Sequence, residues 1–237
     1  MLTPPEIAQS LLAAGESKAR LPLGKMLLLA ILAGAYIALA GVGATAAAVT
    51  VESGSLAKLL SACVFPAGLS MVILAGSELF TGNCLMVMAL LERRITPAQL
   101  LRNWLTVYLG NAVGGAAVAA LAVYSHTASL FGDGLARSMI SIAESKAALG
   151  FGDAFLRGVL CNFLVCLAVW MAAASKRAEG KVIALFFPIL LFVLCGYEHC
   201  IANLYYLPAG AFAAAEYGME TTLTLAGCLK NLAAVTL

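Results

Sequence analysis

Two segments of this chain place ionisable side chains in the middle of long apolar stretches. Residues 76–83 read GSELFTGN and carry Glu78, and residues 196–203 read GYEHCIAN and carry Glu198 and His199. A carboxylate can accept hydrogen bonds or pair with a cation, and an imidazole can donate a hydrogen bond and titrates near neutral pH. These groups could bind a small polar or charged molecule, and the surrounding sequence decides where they lie.

The composition excludes a soluble protein. Hydrophobic residues make up 62% of the 237-residue chain and charged residues 11%, with a mean hydropathy of +0.98. Soluble domains carry about 45–50% apolar and about 25% charged residues. The long apolar runs predict an all-α polytopic membrane protein, because a transmembrane β-barrel would show short alternating segments instead. The formal net charge of +2 gives no electrostatic footprint for nucleic acid, so no such partner is expected.

Six apolar segments follow an amphipathic N-terminal segment. The predicted organisation is a cytoplasmic amphipathic helix over 1–25, a three-helix repeat over 26–124, an extracytoplasmic loop over 125–150, and a second three-helix repeat over 151–237. From about residue 221 only some 16 residues remain, which is short for a span, so the last helix is expected to be incomplete.

The second and fifth apolar segments, roughly 59–91 and 182–215, are each too long for one simple span and carry charge in the middle. A charged group is costly on a lipid face. Non-helical backbone is tolerated at membrane depth only where it is buried in protein or lines a cavity. Both segments are therefore predicted to be helices broken by a loop inside the membrane.

The two interruptions align with each other at a separation of 120 residues. The Phe65-Pro66 pair recurs as Phe187-Pro188, and Arg102-Asn103 recurs as Lys230-Asn231. Three spans separate the halves, so the second half enters the membrane from the opposite side. This pattern predicts an inverted repeat, with a binding site where the two broken helices meet near the midplane.

Residues that recur in both halves are expected to stabilise the loops. These are Glu78, Glu198, Asn83 and Asn203, and the glutamates are expected to satisfy loop amides. Thr81 and His199 have no counterparts in the other half, and we predict that they meet whatever passes between the loops.

Basic residues predict the orientation. Nine of the 14 Lys and Arg residues lie within 18–25, 93–102 and 176–181, which the predicted topology puts on one side of the membrane. Because basic loops stay inside, the N-terminus is predicted to be cytoplasmic, in a multi-pass protein of the inner (plasma) membrane.

At GSELFTGN and GYEHCIAN the chain resembles the formate/nitrite transporter family. The resemblance covers nearly the whole chain and includes the stretches 102–111, 157–162 and 231–236. It implies an aquaporin-like six-helix fold, assembly as a homopentamer with one pore per protomer, and passage of small monovalent weak-acid anions such as formate, nitrite or hydrosulfide.

The resemblance also implies roles for individual residues. It places the family's loop threonine on Thr81, its pore histidine on His199, its vestibule lysine on Lys146 and an asparagine of the fourth span on Asn162. It places apolar constrictions on Phe65, Leu69 and Phe192 at the outer side, and on Leu79, Phe80 and Val165 at the inner side.

A bare anion is costly to bring into a narrow apolar pore. Lys146 is expected to concentrate the anion, and we hypothesise that His199 donates a hydrogen bond or a proton, so that the substrate crosses as its neutral acid. The alternative function is an aquaporin-like channel for small neutral solutes. The absence of an Asn-Pro-Ala motif from both loops counts against it.

An intramembrane enzyme is not expected. His199 and Cys200 are adjacent, and neighbouring residues on a helix point in different directions, so they make a poor nucleophile pair. One intramembrane histidine and scattered cysteines do not form a metal-ligand set, so neither a metal nor a cofactor is expected.

Overall fold

The structure is a computed structural model that describes residues 1–237, and its regular elements are all helical. In chain order the α-helices are α1 (Pro4–Ala19), α2 (Leu23–Ala48), α3 (Gly54–Val64), α4 (Pro66–Ala75), α5 (Phe80–Asn83), α6 (Val87–Leu91), α7 (Pro97–Tyr124), α8 (Gly134–Ala148), α9 (Phe151–Ala173), α10 (Ala178–Leu194), α11 (Cys200–Glu216) and α12 (Leu225–Thr236). Short 3-10 turns lie at Cys84–Met86 and Thr127–Ser129.

Four helical stretches are long and apolar enough to cross a membrane. They are α2, α3 continued by α4, α7 and α9. The large apolar side chains on the outside of the bundle agree with a lipid surrounding, since Leu105, Leu109 and Leu156 are each more than 60% exposed. In water this much exposed apolar surface would be unfavourable, and facing lipid it is not.

Both predicted breaks are present. Helix α4 ends at Gly76, three non-helical residues follow, and α5 begins at Phe80. In the second half the helix ends before Gly196, and α11 begins at Cys200. Gly76 has φ 75° and Gly196 has φ 71°. This left-handed conformation is open to glycine and strained for other residues, so each glycine lets the chain leave its helix sharply.

The inverted repeat is visible in equivalent contacts. The Glu78 amide donates to the Leu29 carbonyl at 3.3 Å, and the Glu198 amide donates to the Arg157 carbonyl at 3.4 Å. Each break is therefore tied to the first spanning helix of its own half. Thr96 caps α7 by accepting the Gln99 amide. In the second half, Thr224 caps α12 by accepting the Gly227 amide. The predicted all-α inverted repeat with broken second and fifth helices is confirmed.

The segment 125–150 differs from the predicted loop, because it contains the 15-residue helix α8. Leu135, Met139 and Ile140 lie on one face of α8 and are buried, and α8 packs mainly against α11. Apolar residues that recur three or four positions apart favour a helix with one buried face. Helix α8 precedes the first span of the second repeat, as α1 precedes that of the first.

Contacts near the N-terminus gather the basic segments at one end of the bundle. The Leu2 amide donates to the Ala174 carbonyl at 2.9 Å, and Arg94 pairs with Glu16 at 3.2 Å. These contacts bring the regions 18–25, 93–102 and 176–181 together. Which side of the membrane this end faces stays a prediction.

Helices α2 and α7 cross at backbone contact. A Cβ atom built on Gly114 would overlap the Ile31 carbonyl oxygen. Small residues at such crossings let helix backbones approach closely within a membrane. We expect Gly114→Ala to lower the free energy of unfolding by about 1–3 kcal/mol through overpacking. The thermal unfolding temperature in detergent measures this effect.

The matched control is Gly152→Ala, because Gly152 also lies in a helix but a Cβ there would meet nothing within 4 Å. This variant should unfold at or slightly above the wild-type temperature, since alanine favours helix. Equal unfolding temperatures for the two variants would contradict the close crossing.

Candidate functional site where two broken helices meet

The two breaks meet through one polar contact. Thr81 Oγ1 lies 3.2 Å from His199 Nε2. Both residues are buried, with 2% and 4% of their surface exposed. The structure thus brings together the two loop residues that have no counterpart in the other half, and their role in transport stays a prediction.

The hydrogen bonds of His199 assign its neutral tautomer. Its Nδ1 accepts the Ala202 amide at 3.1 Å, so the ring caps the N-terminus of α11. A nitrogen that accepts a hydrogen bond carries no proton, and the proton of the neutral ring is therefore on Nε2. This N–H points toward Thr81. The ring stacks on Phe192 at a centroid distance of 5.6 Å, which holds its orientation.

Three cavities lie in series along the molecule. The α8-side vestibule, of about 130 Å³, is lined by Lys58, Lys146, Phe65, Phe192, Tyr197, Tyr206 and His199, among others. The central gap, of about 10 Å³, is lined by Ile37, Phe65, Leu69, Leu79, Val165, Ile189, Phe192 and His199. The α1-side vestibule, of about 240 Å³, is lined by Lys18, Leu69, Ser77, Glu78, Leu79 and others. Neighbouring cavities share lining residues, so together they follow one direction through the protein.

Most of the expected constriction residues lie on this line. Phe65 and Phe192 meet edge to face at 5.7 Å between the α8-side vestibule and the central gap. Val165 lines the central gap, and Leu79 stands between the gap and the α1-side vestibule. The central gap is therefore apolar except where His199 reaches it.

Leu69 lines the central gap together with Phe65 and Phe192, and it also reaches the α1-side vestibule. One constriction residue lies elsewhere than expected. Phe80 is off the line altogether, since its ring packs against Trp104 at 6.0 Å and Tyr108 at 5.3 Å. Consecutive residues point in different directions, and because Leu79 points into the gap, Phe80 turns toward α7.

Asn162 shares a cavity with Thr81 and His199, but not the central gap. This lateral cavity, of about 490 Å³, also contains the Cys84, Cys161, Cys166 and Cys200 side chains and reaches Leu237. All seven cysteines are free thiols. No group of three or more His, Cys, Asp and Glu side chains is arranged to hold a metal ion.

A partly buried ion pair holds the first break. Lys18 on α1 pairs with Glu78 at 2.7 Å. Asn83 Nδ2 donates to the Glu78 carboxylate at 2.7 Å and to Asn103 Oδ1 of α7 at 2.8 Å. One cluster therefore joins the break to a surface helix, to the half-helix that follows, and to a spanning helix.

The second break has the same arrangement. Lys146 on α8 pairs with both carboxylate oxygens of Glu198, at 2.9 and 3.0 Å. Asn203 Nδ2 donates to Glu198 and to Asn231 Oδ1 of α12, both at 2.7 Å. The two lysines are 128 residues apart, which is also the separation of Asn103 and Asn231.

The glutamates do not satisfy loop amides as expected. The amide of Glu78 donates to the Leu29 carbonyl, and the amide of Phe80 donates to Asn111 Oδ1 at 3.0 Å. The carboxylates accept from lysines and asparagines instead, because a buried negative charge is far better matched by a cation than by a neutral amide. Sequence reasoning missed Lys18 as a partner, although its spacing from Lys146 repeats that of the asparagines.

Lys146 lines the vestibule, as expected for the family, but it is not a free cation. Its ammonium is held by Glu198 and lies 5.2 Å from the centre of the Tyr206 ring. Only 14% of its side chain is exposed. Its positive charge is therefore largely matched within the protein.

The fold and the site together define a class. A multi-pass helical bundle with a line of cavities, interrupted by an apolar gap and one polar contact, is the architecture of a membrane transport protein. The chain belongs to the formate/nitrite transporter family, whose sequence model matches residues 5–237. This is a family of transport proteins, and the chain is not an enzyme.

Individual relatives agree with this assignment. A probable formate transporter of Methanothermobacter thermautotrophicus is 39% identical over 229 residues, which cover 89% of this chain and 83% of the relative. An ion channel of the same family superposes with a TM-score of 0.88 at 31% identity, over 98% of this chain and 92% of that one. A pentameric formate channel with formate bound superposes with a TM-score of 0.81 at 31% identity, over 91% and 90%.

The pairing of Lys146 with Glu198 predicts a stability pattern. Lys146→Met should lower the free energy of unfolding by about 3–5 kcal/mol, because it leaves the buried Glu198 carboxylate without its cation. The double variant Lys146→Met with Glu198→Gln should recover part of this loss, since no buried charge is then left alone. Unfolding temperatures in detergent compare the three proteins. A double variant less stable than the single one would show that the pair is not the stabilising contact.

Proposed function

We propose that this chain forms a channel for small monovalent anions of weak acids, with formate as the first substrate to test. Nitrite and hydrosulfide share the same size, charge and ability to take up a proton, and belong to the same proposal. The observation that carries it is the presence of His199 at an otherwise apolar gap, with the Thr81 hydroxyl 3.2 Å from its Nε2. The formate-related names of the family and its members support the choice of substrate.

The gap explains why a donor is needed. An anion that enters between Phe65 and Phe192 loses water, and an unpaired polar group in an apolar site is costly. The Nε2–H of His199 supplies a hydrogen bond where the apolar lining supplies none. The Thr81 hydroxyl, within reach of the same nitrogen, supplies a second donor once the anion separates the two.

The capping bond favours one form of this mechanism. To become imidazolium, His199 would need a proton on Nδ1, where it already accepts the Ala202 amide. The partial positive charge of the α11 N-terminus also opposes a second positive charge on the ring. We therefore infer that His199 acts as a neutral hydrogen-bond donor to the anion, or to the anion together with its proton, rather than as a proton reservoir.

We propose further that the protein is a homopentamer in the inner membrane, with α1 on the cytoplasmic side and α8 on the other side. The similar formate channel is pentameric. The exposed apolar residues require lipid or neighbouring protomers around the bundle. The grouping of the basic segments at the α1 end supports the orientation.

Replacement of His199 by asparagine separates its role as the N-cap of α11 from its proposed role as a hydrogen-bond donor to the anion. Asparagine can still cap α11, because its side-chain oxygen can accept the Ala202 amide, but it does not reach the position of Nε2. We expect His199→Asn to fold and assemble normally and to pass formate at least about tenfold more slowly, as expected when about 1.4 kcal/mol of stabilisation is lost. Formate uptake into proteoliposomes measures the rate.

Three further variants test this interpretation. Thr81→Ser keeps the hydroxyl and should retain most of the flux, whereas Thr81→Val should reduce it. His199→Phe removes both the cap and the donor, so it should lose stability as well as flux. Wild-type flux and pH dependence in His199→Asn would rule out the proposed donor.

A swelling assay separates anions from neutral solutes. Because the central gap holds only about 10 Å³ between Phe65 and Phe192, we expect proteoliposomes to take up formate and to exclude glycerol. Phe65→Ala should widen the gap and admit larger solutes. Fast glycerol entry with no formate entry in the wild type would instead indicate an aquaporin-like channel for neutral solutes.

A further inference from the structure

The α8-side vestibule contains a lysine with no ion-pair partner. We propose that Lys58, and not Lys146, supplies the positive charge that draws anions into this vestibule. The inference rests on the proposed function, because it assigns the step by which the anion enters the channel.

Lys146 is poorly suited to attract an anion from solution. Both Glu198 oxygens lie within 3.0 Å of its ammonium, and Asn203 donates to the same carboxylate. Seen from the vestibule, the pair is close to neutral. An incoming anion that displaced Glu198 would leave a second negative charge buried beside it, which is unfavourable.

Lys58 differs from Lys146 because it is exposed and has no ion-pair partner. It lies in the second turn of α3, is exposed, and lines the vestibule. It belongs to none of the ion pairs in the structure. Its ammonium lies beside the turn at Gly196, 3.9 Å from where a Cβ of that glycine would be. Lys58 therefore lies at the second break, beside the glycine from which the chain continues through Tyr197 and Glu198 to His199.

The charged groups around Lys58 leave this region positive. They are Lys146, Glu198 and Arg157. Glu198 balances Lys146, while Lys58 and Arg157 carry charges that no carboxylate matches within ion-pair distance. Of these two, only Lys58 lines the vestibule. Its ammonium is therefore the cation that an anion meets on entry.

The other end of the channel lacks such a group. The Phe65-Pro66 pair, which lies nearest to Lys58, recurs at a separation of 122 residues, and this offset places Gly180 at the position equivalent to Lys58. The cation that lines the α1-side vestibule is Lys18, which is paired with Glu78. An unpaired cation therefore lines the α8-side vestibule but not the α1-side vestibule, and its effect should be seen on anions that enter from the α8 side.

Salt dependence distinguishes attraction from a structural role. The Debye length is about 30 Å at 0.01 M salt and about 3 Å at 1 M, so a steering charge acts at low salt and is screened at high salt. We expect Lys58→Gln to reduce initial formate influx from the α8 side about threefold or more at 0.01 M salt, and to have little effect at 1 M. Lys58→Arg should behave like the wild type at both.

The experiment uses the full-length protein in proteoliposomes sorted by orientation, with subsaturating formate. Arg137→Gln is the matched control, because Arg137 is an exposed cation of α8 outside the vestibule lining. The double variant Lys146→Met with Glu198→Gln removes the neutral pair without changing the net charge. Both should keep the wild-type dependence of influx on salt.

The outcomes separate this inference from the function on which it rests. A wild type that passes no formate would overturn the proposed function. A conducting wild type matched by Lys58→Gln at low salt would overturn the role of Lys58 alone, and so would a loss of influx that is equal at both salt concentrations. If influx through the double variant no longer depended on salt, the attraction of anions into the vestibule would be assigned to Lys146 instead.

Discussion

The structure depends on neutralising a carboxylate at each break. A helix that stops inside a membrane leaves backbone groups without partners, and a charge at that depth is costly unless it is matched. Here each glutamate is held by a lysine from a surface helix and by an asparagine of the following half-helix. A second asparagine connects the cluster to α7 or α12. The breaks are stable because these charges and amides satisfy one another.

This arrangement gives the surface helices a structural role. Helix α1 brings Lys18 to the first break, and α8 brings Lys146 to the second. Each lysine stem spans the distance from an interfacial helix to a buried carboxylate, which an ammonium on a long flexible chain can do. Because each lysine is paired with a glutamate, neither ammonium is free to attract an anionic substrate.

The two halves share what supports the loops and differ in what faces the gap. The glutamates and asparagines recur, whereas His199 stands opposite Leu79 in the repeat, and Thr81 stands opposite Ile201. A symmetric scaffold thus presents one imidazole N–H and one hydroxyl at a single point. The capping bond to Ala202 orients the imidazole, so the helix that begins at the break also aims the donor.

The sequence by itself determined the spans, the two breaks and the inverted repeat, because hydropathy, helix length and charge at membrane depth are local properties of the chain. It also singled out His199 and Thr81, as the residues that break the repeat. Only the tertiary structure decided that Lys18 and Lys146 are neutralised by the glutamates, that Phe80 faces α7 and not the gap, and that Lys58 lacks a partner. These facts depend on side chains that are 50 to 60 residues apart in the chain or on different helices, and spacing alone does not show which of them meet.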